Sequence, residues 1–172
     1  ERHDKLDVLI NNAGIFHTPE VTTRDGLDVR FAVNTLAPWL LTQRLMPLLG
    51  PTARVVNLSS SAQTPVDPAA LAGEVKIADD FTAYAQSKLA ITMWSRHLAL
   101  SLNQEGPAII AVNPGSLLGS KMVREGFGVE GGDLQIGARL VQLAARNRCH
   151  AGGWRVDHLL HQHPDRRDRG HL

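Results

Sequence analysis

Leu6-Asp7-Val8-Leu9-Ile10-Asn11-Asn12-Ala13-Gly14 is a short, mostly apolar run that breaks into a polar loop ending in glycine. The pattern is that of a buried strand entering a loop. It recurs twice: Arg54 to Leu58 opens into Ser59-Ser60-Ser61, and Ala108 to Val112 closes on Asn113-Pro114-Gly115. Helical patterns lie between. Leu27 to Leu45 repeats apolar residues at helical spacing (Leu27, Phe31, Leu41, Leu45), Phe81 to Asn103 forms a second long helix, and Leu134 to Ala145 a further one. Thr18 to Gly26 and Thr64 to Asp80 read as loops. Largely apolar strands alternating with helices predict an α/β fold, with a parallel sheet covered on both faces. Pro38 falls inside the first long helix and has no N–H for the Asn34 carbonyl. The helix is therefore expected to kink there and leave that carbonyl free for another partner.

Tyr84-Ala85-Gln86-Ser87-Lys88 lies near the start of the second long helix. A tyrosine and a lysine four residues apart share one side of a helix. Tyrosine ionises near pH ~10, so a neutral-pH base needs a shift of about 3 units, or ~4 kcal/mol. One ammonium about 4 Å away, at an effective dielectric of ~20, supplies roughly that much. The pair is thus a candidate proton-transfer device. Taken alone it is equally the solvated pair that any amphipathic helix carries, just as Asn-Asn-Ala-Gly, the serine run or Pro-Gly alone is a turn. Their occurrence together, in this order and with Asn34, is the signal.

The bulk properties narrow the classes. The chain has 172 residues, 43% hydrophobic and 20% charged, with a formal net charge of +1. That is one domain by size, ordinary for a soluble globular protein. A charge so near zero argues against a dedicated nucleic-acid or membrane-surface binder. Cys149 is the only cysteine, which excludes a disulfide framework or a thiolate metal cluster and fits a reducing, cytoplasmic compartment. No apolar run is long enough to span a bilayer.

With these elements in order, the sequence resembles the short-chain dehydrogenase/reductase family from Leu6 to Ala145. Val33-Asn34-Thr35, Val56-Asn57-Leu58-Ser59-Ser60, Tyr84-x-x-x-Lys88 and Pro114-Gly115 stand where that family's signals stand. The long Ser60-to-Tyr84 spacing and the wording Ala83-Tyr84-Ala85-Gln86-Ser87-Lys88-Leu89-Ala90 resemble its retinol-dehydrogenase-like branch. The extended epimerases and dehydratases also carry Tyr-x-x-x-Lys but usually lack Asn-Asn-Ala-Gly. The resemblance implies an oxidoreductase that uses NAD or NADP to interconvert an alcohol and a carbonyl by hydride transfer. Tyr84 would be the general acid/base. Lys88 would lower its pKa and bind the nicotinamide ribose. Ser60 would hydrogen-bond the substrate oxygen, with Ser61 as an alternative, and Asn34 would hold a water linking Lys88 to solvent. Asn11, Ala13 and Gly14 would line the adenosine side of the cofactor, while Pro114, Gly115 and Leu117 would lie near the nicotinamide. Met122, Val123, Phe127 and Val129 suit either an apolar substrate lid or a surface helix. The substrate is expected to be a small, apolar alcohol or carbonyl compound, and the parent protein a homo-oligomer.

Two departures set further expectations. The family opens with a strand, a Gly-x-x-x-Gly-x-Gly turn and a helix that receives the pyrophosphate, whereas only Glu1 to Lys5 precede the first strand here. The resemblance then implies a partial doubly wound parallel sheet, Rossmann-like but lacking the first βαβ units, which would own one wall of the cofactor crevice. The isolated fragment would then bind cofactor very weakly, be inactive and be poorly soluble. The alternative is a non-catalytic truncated or decayed gene product with no cofactor binding. From Arg146 to Leu172 the chain holds six Arg and five His. Residues 1–145 are accordingly read as the partial domain and 146–172 as an irregular basic, His-rich tail. A shifted reading frame in GC-rich DNA explains that tail better than a basic nucleic-acid arm or a metal site at His158, His161 and His163.

Overall fold

A computed structural model describes residues 3–102 and 105–146; the expectations for the tail, including His158, His161 and His163, fall outside them. Three strands form one parallel sheet in the order β1 (Val8–Asn11), β2 (Arg54–Leu58), β3 (Ala108–Val112). The register aligns Asn11 with Asn57 and Leu58 with Val112, so the C-terminal ends of all three strands open on one side. Asn12–Gly14, Ser59–Ser61 and Asn113–Gly115 follow those ends. In open α/β sheets that is where ligands bind.

The first long helix runs as α1 (Val29–Phe31), a π-helical turn (Ala32–Leu36) and α2 (Ala37–Leu45). Asp28 caps it by accepting the Arg30 N–H. The expected disturbance at Pro38 takes the form of this π turn: the Ala37 N–H bonds the Ala32 carbonyl five residues back, immediately before the proline. Such bulges widen the helix by one residue and favour functional sites. The stretch from Thr64 to Asp80 is not loop throughout. It contains α3 (Pro68–Leu71), capped by the Asp67 side chain on the Ala69 N–H with Pro68 in its first turn, two start signals that the loop reading passed over. Helix α4 (Asp80–Ser101) is capped by Asp79, which accepts from both the N–H and hydroxyl of Thr82. Helix α5 (Lys121–Phe127) occupies the segment left open between lid and surface helix, and α6 (Leu134–Arg146) ends the described chain.

Strand β2 is the centre of the core. Val55 and Val56 are fully buried, each worth roughly 1.5–3 kcal/mol relative to exposure. Leu49, Ala53 and Val55 pack with Leu6, Leu9, Leu45 and Ile109 on one side of the sheet. Phe31, Ala70 and Ala90 join α1, α3 and α4 in a second cluster. Helix α6 lies against β2 and β3. Cover thins toward the outer strand, where Ile10 is 45% exposed. Among the described residues β1 pairs on one side only.

A buried polar chain crosses this core. Asn11 Nδ2 donates to Asn57 Oδ1 (2.7 Å) and Thr42 Oγ1 (3.3 Å), and Asn57 Nδ2 donates to Ser95 Oγ (2.8 Å). Ser95 passes its own proton to the Ile91 carbonyl. The chain ties β1 to β2, and both to α2 and α4. Asn57→Ala would remove two buried hydrogen bonds, leaving Asn11 only its longer bond to Thr42 and Ser95 without a donor, at a cost of roughly 3 kcal/mol. Urea unfolding should record that loss as a lower midpoint with an unchanged slope.

Candidate active site

Tyr84 and Lys88 project from the first turns of α4 toward the C-terminal end of β2. Lys88 is buried, and its Nζ donates to the Leu58 carbonyl (2.8 Å), the last residue of that strand. The same Nζ lies 5.7 Å from the centroid of the Tyr84 ring. Gly14 stands between the groups from two other elements: a Cβ built there would sit 3.5 Å from both Lys88 Nζ and Asn34 Oδ1. Those are ordinary contacts, so the chain's own packing does not demand glycine at this exposed position.

The three serines are separated by their partners. Ser59 turns inward, donating to the Lys88 carbonyl (3.0 Å) and meeting Thr92 Oγ1 (2.6 Å). Ser61 is exposed, 3.3 Å from Ser116 Oγ. Ser60 is the one whose hydroxyl lies close enough to Tyr84 to favour its ionised form. It also accepts from the Ala62 N–H (3.1 Å), which fixes its rotamer toward the site.

Charge behaves differently here from the simple tyrosine–ammonium picture. Burial pushes the Tyr84 phenol above its ordinary value, with the Ser60 hydrogen bond pulling the other way. Burial also lowers Lys88 to about 8. The expected depression of Tyr84 by Lys88 is not seen: the ammonium lies over the Tyr84 ring, 5.7 Å from its centroid, and donates to the Leu58 carbonyl. In a desolvated site both groups favour their neutral forms.

Asn34 is fully buried in the π turn, and its whole side chain is engaged. Oδ1 accepts from the Ile15 N–H (2.8 Å), while Nδ2 donates to the Ile15 carbonyl (2.9 Å) and to Ser87 Oγ (2.9 Å). Any water held by Asn34 would therefore rest on its backbone. Asn11 is engaged in the same way: its side chain points into the core, onto Asn57 and Thr42, while the exposed surface of that loop belongs to Asn12, Ala13 and Gly14. Ser87, which receives Asn34 and donates to the Tyr84 carbonyl (2.7 Å), went unread in the sequence, although its place between Tyr84 and Lys88 was the available clue.

Beyond β3, Gly115 (φ 123°) and Leu117 (φ 48°) both lie in left-handed backbone. For a leucine this costs on the order of 1–2 kcal/mol. The conformation is pinned by hydrogen bonds from Gly132 N–H to the Leu117 carbonyl and from Gly119 N–H to the Gly132 carbonyl, both 2.7 Å. A Cβ on Gly131 would come within 2.6 Å of the Leu117 oxygen. Gly131 is thus what allows this closure. Gly137 performs a similar service for α6, since a Cβ there would strike Leu118 and Pro114.

Among the described residues no group of His, Cys, Asp and Glu could hold a metal ion, and no helix is long and apolar enough to cross a membrane.

The family model for short chain dehydrogenases matches residues 1–127. Retinol dehydrogenase 13 from Homo sapiens is 38% identical over 119 residues, covering 67% of this chain and 36% of that protein. The solved structure of an uncharacterised protein from Mycobacterium paratuberculosis superposes with a TM-score of 0.69 at 30% identity, covering 86% of this chain and 52% of that one. The landomycin C-6 ketoreductase LanV, solved with bound NADP and rabelomycin, follows at a TM-score of 0.56 and 27% identity, over 82% of this chain and 54% of that one. The chain belongs to the short-chain dehydrogenase family and is retinol-dehydrogenase-like. It spans about a third of the length of that first curated relative.

The buried lysine has a thermodynamic signature. Lys88 ionises at about 8 in the folded chain against an ordinary 10.5, so between those values the unfolded state binds more protons. Stability should then rise with pH from about 8 to 10. Denaturant titrations at several pH values should find that rise in the parent and not in Lys88→Met.

Proposed function

We propose that this chain carries the catalytic portion of an NAD(P)-dependent oxidoreductase that interconverts an alcohol and a carbonyl. One observation carries the reading. Tyr84 and Lys88 from α4 and Ser60 from the loop after β2 converge on the C-terminal edge of a parallel sheet.

The residues fit a nicotinamide cofactor. Ala13 and Gly14 are exposed at the end of β1, and Gly14 leaves room that the chain's own packing does not need. Gly115 and Leu117 hold a left-handed loop at the end of β3. When bound, the cofactor would supply or accept the hydride. Ala13 and Gly14 would border its adenosine half, with Asn11 contributing backbone only. Pro114, Gly115 and the Leu117 N–H would border the nicotinamide.

The chain's own groups then divide the proton work. Tyr84 Oη gives its proton to the carbonyl oxygen, or takes one from the alcohol. The high phenol pKa favours a protonated donor at neutral pH, which suits reduction. Ser60 donates a hydrogen bond to the same oxygen as negative charge develops there. Lys88, when protonated, holds the ribose hydroxyls and stabilises the phenolate left behind. The Asn34 backbone carbonyl, which Pro38 cannot bond, holds the water that reconnects Lys88 to solvent.

The substrate we favour is an apolar alcohol or carbonyl compound of retinoid type, in line with the relatives' names and with exposed Leu117 and Val129 near the mouth. We assign the catalytic unit to residues 1–145. Exposed Leu40, Leu41, Met93 and Leu100 on α2 and α4 favour a homo-oligomer. The lone Cys149 suits a cytoplasmic setting.

The test is NAD(P)H oxidation with retinal and smaller aldehydes, using the longest natural reading frame that carries this chain. Tyr84→Phe should lower kcat at least about 100-fold with circular dichroism unchanged. Full activity in that variant, or no turnover of any carbonyl by the folded parent, would refute the assignment.

A further inference from the structure

Three consecutive residues after Gly14 meet three successive levels of one face of α4. Ile15 is held through Asn34 to Ser87. Phe16, almost fully buried, sets its ring edge-on to Tyr84, with centroids 5.3 Å apart and planes at 88°. His17 Nδ1 donates to Asp80 Oδ2 at 2.6 Å. Asp80 precedes Tyr84 by four residues, one helical turn on the same face. Asp80 is anchored in turn. Arg30, fully buried, donates Nη1 to Asp80 Oδ1 and grips Asp28 through Nε (2.8 Å) and Nη2 (2.6 Å). Helix α5 closes the far side of Phe16, where a Cβ on Gly126 would come within 2.5 Å of its Cδ1.

We propose that Phe16 and His17 form a positioning bracket for Tyr84, locked at its outer end by the Asp80–Arg30–Asp28 ion cluster and closed by α5 at Gly126. Neither residue touches the reacting atoms. Phe16 limits the ring's orientations and keeps water from its flank. His17 keeps Phe16 in place by fastening the next residue to the helix that carries Tyr84. The ion cluster suits this work because a buried guanidinium that binds two carboxylates cannot shift without leaving a charge unpaired. The hydrogen bond from His17, joined by Arg30, holds the Asp80 carboxyl below the usual carboxylate range, so it remains an acceptor at neutral pH.

The bracket deepens the acid/base reading of Tyr84, yet its test needs no turnover. Tyr84 is the sole tyrosine, so tyrosinate absorbance during an alkaline titration reports its ionisation directly. Phe16→Ala and His17→Ala should each admit water and lower the Tyr84 pKa toward ~10, by about half a unit or more. His17→Gln, whose amide still donates to Asp80, should restore the parent value. The His17 side chain is 65% exposed, so the pair His17→Ala and His17→Gln stays informative if Phe16→Ala does not fold. An identical Tyr84 titration in parent and His17→Ala, or a glutamine variant that behaves like alanine, would overturn the bracket.

Discussion

The side-chain amide of Asn34 is the constraint on which the site depends. It is fully buried, and it satisfies both backbone groups of Ile15 while donating to Ser87. One residue therefore fixes the loop leaving β1 against the helix that carries Tyr84 and Lys88. A buried amide with unmet hydrogen-bonding groups costs about 1–3 kcal/mol per group. The loop, the π turn and α4 consequently have little freedom to separate. Pro38 adds the local condition, since the helix widens just before it and delivers Asn34 to this position. Thr35 reinforces the same junction by donating to the Ser87 carbonyl at 2.9 Å.

Desolvation sets the chemistry of what the amide assembles. The lysine and the phenol both lie where water is scarce, and each is driven toward its neutral form. A protonated Lys88 is tolerated because the Leu58 carbonyl receives one of its hydrogens. The site is thus poised with the phenol protonated and the ammonium loosely held. A ligand that brings acceptors to Lys88 would raise its charge occupancy and, through that charge, stabilise a phenolate. The electrostatic activation read from the Tyr-x-x-x-Lys spacing therefore requires a partner beyond the two side chains.

Polar groups organise the interior at two levels. The Asn11–Asn57–Ser95 chain joins strands and helices behind the site, and the Asp28–Arg30–Asp80 cluster secures its rim. Both are fully paired along their length, which is what makes buried polar networks specific instead of merely costly. The loop after β3 is organised by backbone alone, through the Gly131-Gly132 closure onto Leu117 and Gly119. Rigid side-chain clamps thus hold Tyr84 and Lys88, while glycine backbone shapes the neighbouring loop.

The strand runs, the helical periodicities and the ordered motifs determined the α/β class, strands β2 and β3 to the residue, and the grouping of Tyr84, Lys88, Asn34 and the serines. Those features are local: alternation of buried strands and helices is written in the spacing of apolar residues, and a four-residue interval fixes one side of a helix. Only the tertiary structure decided which of three consecutive serines meets Tyr84, that the Asn11 side chain faces the core, and that Lys88 lies beside the ring. Each of these depends on which partner lies within hydrogen-bonding reach, and the partners, Thr92, Asn57 and the Leu58 carbonyl, stand 30 to 46 residues away in the chain. A residue's type limits what it can bond; the fold decides what it does bond.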